Sequence, residues 1–190
     1  MTEPATERRT EEAVLGGGCF WCLEAAFQEL RGVQEVEPGY AGGHVDDPTY
    51  RQVCGGGTGH AEVVRVRFDP DELPYAELLR VFFTIHDPTT RDRQGADVGP
   101  QYRSIVLHGS AEQEAEARRV VRELREEGVW EAPIVTELVQ LERFWPAEEE
   151  YRDYYRRHPE RGYCRMVIRP KLAGLRSAWA DRLEGRRARG

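Results

Sequence analysis

No apolar run in the 190-residue chain approaches the roughly 18 residues that span a bilayer, and its first stretch, MTEPATERRTEEA, carries charge where an export signal needs an apolar segment. Neither a membrane span nor export is expected, and the cytoplasm is the expected compartment. Cysteine is scarce: four thiols are too few for the disulfide framework of a small secreted domain, which leaves catalysis, redox cycling, metal binding or plain burial. Basic charge is in deficit, 27 Lys plus Arg against 34 Asp plus Glu, and no basic stripe interleaved with aromatics crosses the body of the chain. Nucleic acid is therefore not an expected partner. Internal repeats and low-complexity linkers are missing too. One catalytic domain is expected over residues 12–184, with a disordered lead-in at 1–11 and a basic flexible tail, GRRARG, at 185–190. That length buries most of its apolar surface without staples, and a monomer is the expected state.

What is present alternates between two periods. Ala13 to Leu15 form a short strand running into Gly16, Gly17 and Gly18, after which Phe20, Leu23, Ala26, Phe27 and Leu30 follow helical spacing. His60 to Phe68 alternates with period two, Pro74 opens a helix from Tyr75 to Ile85, and Arg103 to Leu107 is a strand. Ser110 caps a charged helix reaching Glu127, and Ile134 to Leu141 alternates again before further helical segments. Strand pairs joined across helices in this way predict a two-layer α+β sandwich. Glycine-rich stretches at Val36–Gly43, Cys54–Gly59 and Asp87–Pro100 read as loops, and together they suggest a site assembled at one end of the sheet.

The sharpest local signal is Gly16-Gly17-Gly18-Cys19-Phe20-Trp21-Cys22, which places a thiol in the first turn of a helix. Free amide N–H groups and the positive dipole end favour a thiolate, and a pKa one or two units under the free value of about 8.5 leaves Cys19 largely ionised at neutral pH. Two other readings stand beside this one: Cys19 and Cys22 as small buried residues, or as a thioredoxin-like disulfide-exchange pair. Glu62, at the head of an increasingly apolar strand, is the candidate proton donor, because partial burial favours a neutral carboxyl. Tyr50 and Tyr102 lie in or beside the glycine-rich loops and could hold an oxide oxygen, while Phe20 and Trp21 could form an apolar cup for a methyl group. A zinc site normally pairs two Cys-x-x-Cys knuckles and only one is present, while His44, His60 and His86 lack His-Glu-x-x-His spacing, so no metal is expected.

Taken in order, Gly18-Cys19-Phe20-Trp21, Gly39-Tyr40-Ala41-Gly42-Gly43, Pro48-Thr49-Tyr50 and Thr58-Gly59-His60-Ala61-Glu62 resemble the A class of peptide methionine sulfoxide reductases. The resemblance continues through His86-Asp87-Pro88, Arg93-Gln94-Gly95-Ala96-Asp97 and Gln101-Tyr102-Arg103-Ser104, and spans about residues 12 to 165. It implies a ferredoxin-like split β-α-β core within the sandwich, with C-terminal helices. It also implies Cys19 as nucleophile, Glu62 as acid, Tyr50 and Tyr102 as polarising hydroxyls, Asp97 as orienter of the polar part of the substrate, and Phe20 and Trp21 as the methyl pocket. The reaction implied converts the S epimer of methionine sulfoxide to methionine through a Cys19 sulfenic acid. A second thiol then forms a disulfide that an external dithiol such as thioredoxin reduces, with no bound cofactor. Two departures bear on that second thiol: position 22 is Cys where many members have Gly, and no glycine-rich stretch with a further cysteine follows Cys164. Cys164 is favoured because a mobile C-terminal segment can swing to the site, Cys22 is the alternative one helical turn from Cys19, and Cys54 is read as a buried loop residue.

Overall fold

Period-two alternation sorts this chain into a sheet with one deeply covered face. The computed structural model describes residues 8–183. Its sheet strands are β1 (Glu11–Gly16), β2 (Val33–Ala41), β3 (Ala61–Phe68), and, beyond a two-stranded hairpin of β4 (Arg93–Gln94) and β5 (Asp97–Val98), β6 (Ile105–His108), β7 (Glu137–Gln140) and β8 (Phe144–Pro146). The helices are α1 (Phe20–Phe27), α2 (Tyr50–Cys54), α3 (Tyr75–Thr84), α4 (Ala111–Glu127), α5 (Tyr154–Arg157) and α6 (Arg169–Ala178). The six-stranded sheet runs β7-β6-β1-β3-β2-β8, with only β6 and β7 parallel. Within it β6-β1-β3-β2, joined through α1 and α3, is the ferredoxin-like arrangement: each helix connects two strands that a third separates. The expected α+β class holds, and α4 and β7 extend the sheet at one edge while β8 extends it at the other.

Alternate residues explain the layering. Leu15, Tyr40, Val64, Val66 and Val106 point into the large core shared with the helices, whereas Val14, Ala41, Val63, Ile105 and Leu107 form a small cluster on the opposite face under Phe144 and Val139. Glu62 has the parity of Val64 and Val66, so its side chain enters the helix-covered face. α1 is buried almost all round, lying between the sheet and the C-terminal helical segments, and Leu172 and Leu175 of α6 join its core. Between α5 and α6 a single π-helical turn, Cys164–Ile168, buries Cys164 and Ile168 and leaves Met166 80% exposed.

Helix ends follow the sequence closely. Pro74 precedes α3, and the Ser110 hydroxyl accepts from the Gln113 amide at 3.2 Å to cap α4, which Gly128 ends in the left-handed conformation at φ 65°. α1 stops at Phe27, short of Leu30, which instead bridges Leu183.

Val36–Gly43 departs from the loop expectation. Most of it is β2, paired with β3 from Val33 opposite Phe68 to Ala41 opposite Ala61. Pro38 and Gly39 mask the strand pattern, yet each has its place: Pro38 sits where β8 ends, and a Cβ on Gly39 would stand 2.4 Å from the Trp145 carbonyl oxygen. At the N-terminus β1 already begins at Glu11, and Arg9 and Thr10 bond Asp71 and Gln34, so that part of the expected lead-in is tied down. Residues 1–7 and the expected tail at 185–190 lie outside the described residues. Among the described residues no helix is long and apolar enough to cross a membrane.

Candidate active site

Antiparallel pairing puts the end of β1 beside the start of β3, which brings Gly16–Cys19 and Glu62 together. Close approach explains the glycines. A Cβ on Gly17 would meet the His86 ring at 2.8 Å, and Gly18, at φ +90°, would press on Gln94 at 2.7 Å. The Gly18 amide donates to the Tyr102 carbonyl at 3.2 Å, which ties the approach to β6 onto the same corner. His86 is a scaffold residue: its Nδ1–H donates to the Phe82 carbonyl and its Nε2 accepts from Ser104, which in turn bonds Thr136. Burial holds His86 neutral, down to about 4.

Cys19 is the N-cap of α1, with φ −64° and ψ 130°, and is 7% exposed. Glu62 is 0% exposed; its Oε1 accepts the Phe20 amide at 3.2 Å and its Oε2 has no partner. Burial pushes this carboxyl up to about 8, against the lowering by the Phe20 amide, so it stays protonated at neutral pH. The Cys19 thiol is raised rather than lowered: desolvation comes first, then hydrogen bonding to Cys22 and the nearby Glu62 charge. The helix terminus, equivalent to about half a charge, does not offset that burial. Cys22 falls to about 7, chiefly because Cys19 hydrogen-bonds to it, with the Lys171 charge and Tyr163 adding to the effect.

The remaining expected residues arrive from separate elements. Tyr50 begins α2 behind a capping box of Thr49 and Gln52, and its amide donates to the Glu148 carboxylate, which also accepts from the Tyr40 hydroxyl. Tyr102 closes the 3₁₀ turn Pro100–Tyr102. Burial and then the charge of Glu62 raise both phenols, so both are donors at neutral pH, and Cys19 lies close enough to add to each effect. Asp97, in β5, accepts from the Tyr163 hydroxyl at 2.7 Å, and that hydroxyl lies 3.7 Å from the Cys22 sulfur. Phe20 is fully buried beneath the site, with Tyr40, Tyr50 and Tyr151 around it, while Trp21 is only half-buried.

Two cysteine expectations change. Cys54 is exposed at the end of α2, beside the Tyr50 hydroxyl, instead of buried in a loop. Cys164 is buried in a helical turn close to Cys22, not carried on a free segment, because Ile168, Leu172 and Leu175 anchor the elements that follow it. All four cysteines are free thiols. Sequence reasoning missed Glu148, Tyr163 and Tyr151, which have no local motif and act only through distant partners. Glu24 was legible as the one charged residue in the apolar run of α1; it is 2% exposed and pushed up to about 7 by burial. Among the described residues no three His, Cys, Asp or Glu side chains converge in a way that could hold a metal ion.

A buried cysteine beside a second thiol and a protonated carboxylic acid, on a ferredoxin-like sandwich, is a constellation that suits a thiol oxidoreductase. Disulfide exchange alone has no leaving oxygen for that acid to protonate. The chain belongs to the peptide methionine sulfoxide reductase family, whose description matches residues 11–183. Curated relatives named peptide methionine sulfoxide reductase MsrA include those of Ralstonia nicotianae, 58% identical over 94% of this chain and 96% of the relative, and Thermus thermophilus, 58% identical over 91% and 97%. Among solved structures, reduced Mxr1 from Saccharomyces cerevisiae has TM-score 0.75 and 31% identity over 86% of this chain and 92% of its own. Methionine sulfoxide reductase A of Corynebacterium diphtheriae has TM-score 0.73 and 34% identity over 83% and 79%.

Proposed function

We propose that this chain reduces the S epimer of methionine sulfoxide, in proteins and as the free amino acid, acting as a cytoplasmic monomer with Cys19 as nucleophile and Glu62 as acid. The observation that carries the reading is the buried Glu62 carboxyl, protonated beside Cys19 and with one oxygen unpartnered. Tyr50 and Tyr102 donate to the sulfoxide oxygen, Phe20 and Trp21 enclose the methyl group, and Asp97 orients the polar part of the substrate. As the Cys19 sulfur bonds to the sulfoxide centre, Glu62 protonates the oxygen and the Cys19 proton returns to Glu62. The hydroxyl passes to Cys19 and methionine leaves, so that thiol plus sulfoxide become sulfenic acid plus sulfide.

A second thiol then attacks the Cys19 sulfenic acid, forming a disulfide and releasing water. Cys22 takes this step first: it is hydrogen-bonded to Cys19 and holds the more acidic of the two thiols, whereas Cys164 stands behind it and receives the bridge by exchange. Thioredoxin or a similar dithiol restores the thiols. Single-turnover assays of prereduced enzyme with separated epimers test the reading. Methionine from the S epimer alone, with Cys19 consumed, is the expected result. Release from neither epimer would return the site to disulfide exchange. Peptide mapping of substrate-oxidised enzyme should find a Cys19–Cys22 bridge before any bridge to Cys164, and the opposite order would reverse the roles of the two thiols.

A further inference from the structure

The Trp21 ring is covered on one face by Tyr154, with centroids 3.7 Å apart and planes 7° from parallel, a closer stack than any other aromatic pair around the site. Tyr154 opens α5, a helix of four residues too short to hold its own place. What holds it comes from α1. The Glu24 carboxylate accepts the Asp153 amide at 3.1 Å and also bonds the Tyr154 amide, and the Gln28 side chain donates to the Asp153 carboxylate at 2.7 Å. Glu24 and the C-cap residue Gln28 are four residues apart on one side of that helix, and Cys19 is its N-cap. Asp153 itself adopts the left-handed conformation at φ 51°, which a non-glycine residue keeps only when its surroundings enforce it.

We propose that Glu24 and Gln28 are positioning residues that fix the Asp153–Tyr154 turn, and that Tyr154, laid flat on Trp21, is a specificity-determining wall of the sulfoxide cup. The inference rests on the reading of Trp21 as part of that cup. The wall acts on the shape of the binding space and leaves the reacting atoms alone, so its signature is substrate affinity. With Tyr154 in place the cup is matched to a methyl sulfoxide, and without it one face of Trp21 opens to a larger alkyl group.

Steady-state kinetics of the full chain, with dithiothreitol as reductant and a methyl or ethyl sulfoxide peptide as substrate, test this. Tyr154→Ala and Glu24→Ala, which removes the acceptor of the Asp153 amide, should each raise KM for the methyl sulfoxide about 3- to 10-fold, in line with the loss of one aromatic stack, with kcat within about twofold. Tyr154→Phe, which keeps the ring, should match the parent. Tyr154→Ala should also raise the ethyl-to-methyl ratio of kcat/KM, and the double variant should be no worse than the worse single one. An unchanged KM and ratio in Tyr154→Ala would overturn the proposal, as would a Glu24→Ala defect confined to kcat or additive with Tyr154→Ala. Should Glu24→Ala not fold, Gln28→Ala cuts the second tie and carries the same expectation. Trp21→Ala separates the two levels: an unchanged KM there removes the cup reading itself, whereas a raised KM there beside a normal Tyr154→Ala removes only this inference.

Discussion

On the proposed mechanism the proton of the fully buried Glu62 is the one delivered to the sulfoxide oxygen, and its titration sets a pH dependence. The folded-state pKa of about 8 lies above the ordinary carboxyl value near 4.5. The acid form is thus complete at pH 6 and is lost as pH rises through about 8, and single-turnover methionine release should fall over that window. Glu62→Gln should slow the same step by roughly 10²- to 10⁴-fold while leaving Cys19 alkylation possible, and Cys19→Ser should abolish turnover. Stability follows with a definite sign. Between about pH 4.5 and 8 the native chain holds a proton at Glu62 that the unfolded chain has released, so folding weakens as pH rises. Glu62→Gln should therefore be more stable than the parent at pH 8, by up to about 4 kcal/mol, with the gap closing toward pH 4. Cys19 and Glu62 could be picked out as candidates in the sequence because a thiol after three glycines and an acid entering an apolar strand are local patterns. The direction of the thiol's shift was not: the helix-terminus argument counts dipoles but not burial, which comes only from the elements that close over α1.

Elements with a clean period were equally plain. β3, α3 and α4 were readable almost to their ends, because alternation, Pro74 and Ser110 are signals internal to each segment. β2 was hidden by Pro38 and Gly39, whose roles depend on β8, a partner more than a hundred residues away. The same logic governs the turn before α1. Gly18→Ala adds a Cβ at φ +90° against Gln94, so it should lower stability by about 1–3 kcal/mol in chemical denaturation and slow turnover by displacing Cys19. Ser110→Ala, by contrast, should cost about 1 kcal/mol through the lost cap of α4 and leave kinetics unchanged, since that cap lies far from the site.

Across the whole molecule the C-terminal segments complete the core that the ferredoxin-like unit begins. Cys164, Ile168, Leu172 and Leu175 cover α1 from the side opposite the sheet. A chain ending at Gly162 would lose Cys164 and three buried aliphatic side chains, the latter contributing about 1.5–3 kcal/mol each, against a total stability of roughly 5–15 kcal/mol. It should show no cooperative thermal transition by circular dichroism.

One surface residue acquires its own meaning. The chain contains two methionines, and the one within the described residues, Met166, projects from the π-helical turn. An oxidant reaching it would add a polar oxygen where no packing is disturbed. A chain of the family that mends oxidised methionine thus carries this methionine outside its core, in the solvent. Oxidation at that position leaves the core and the site intact.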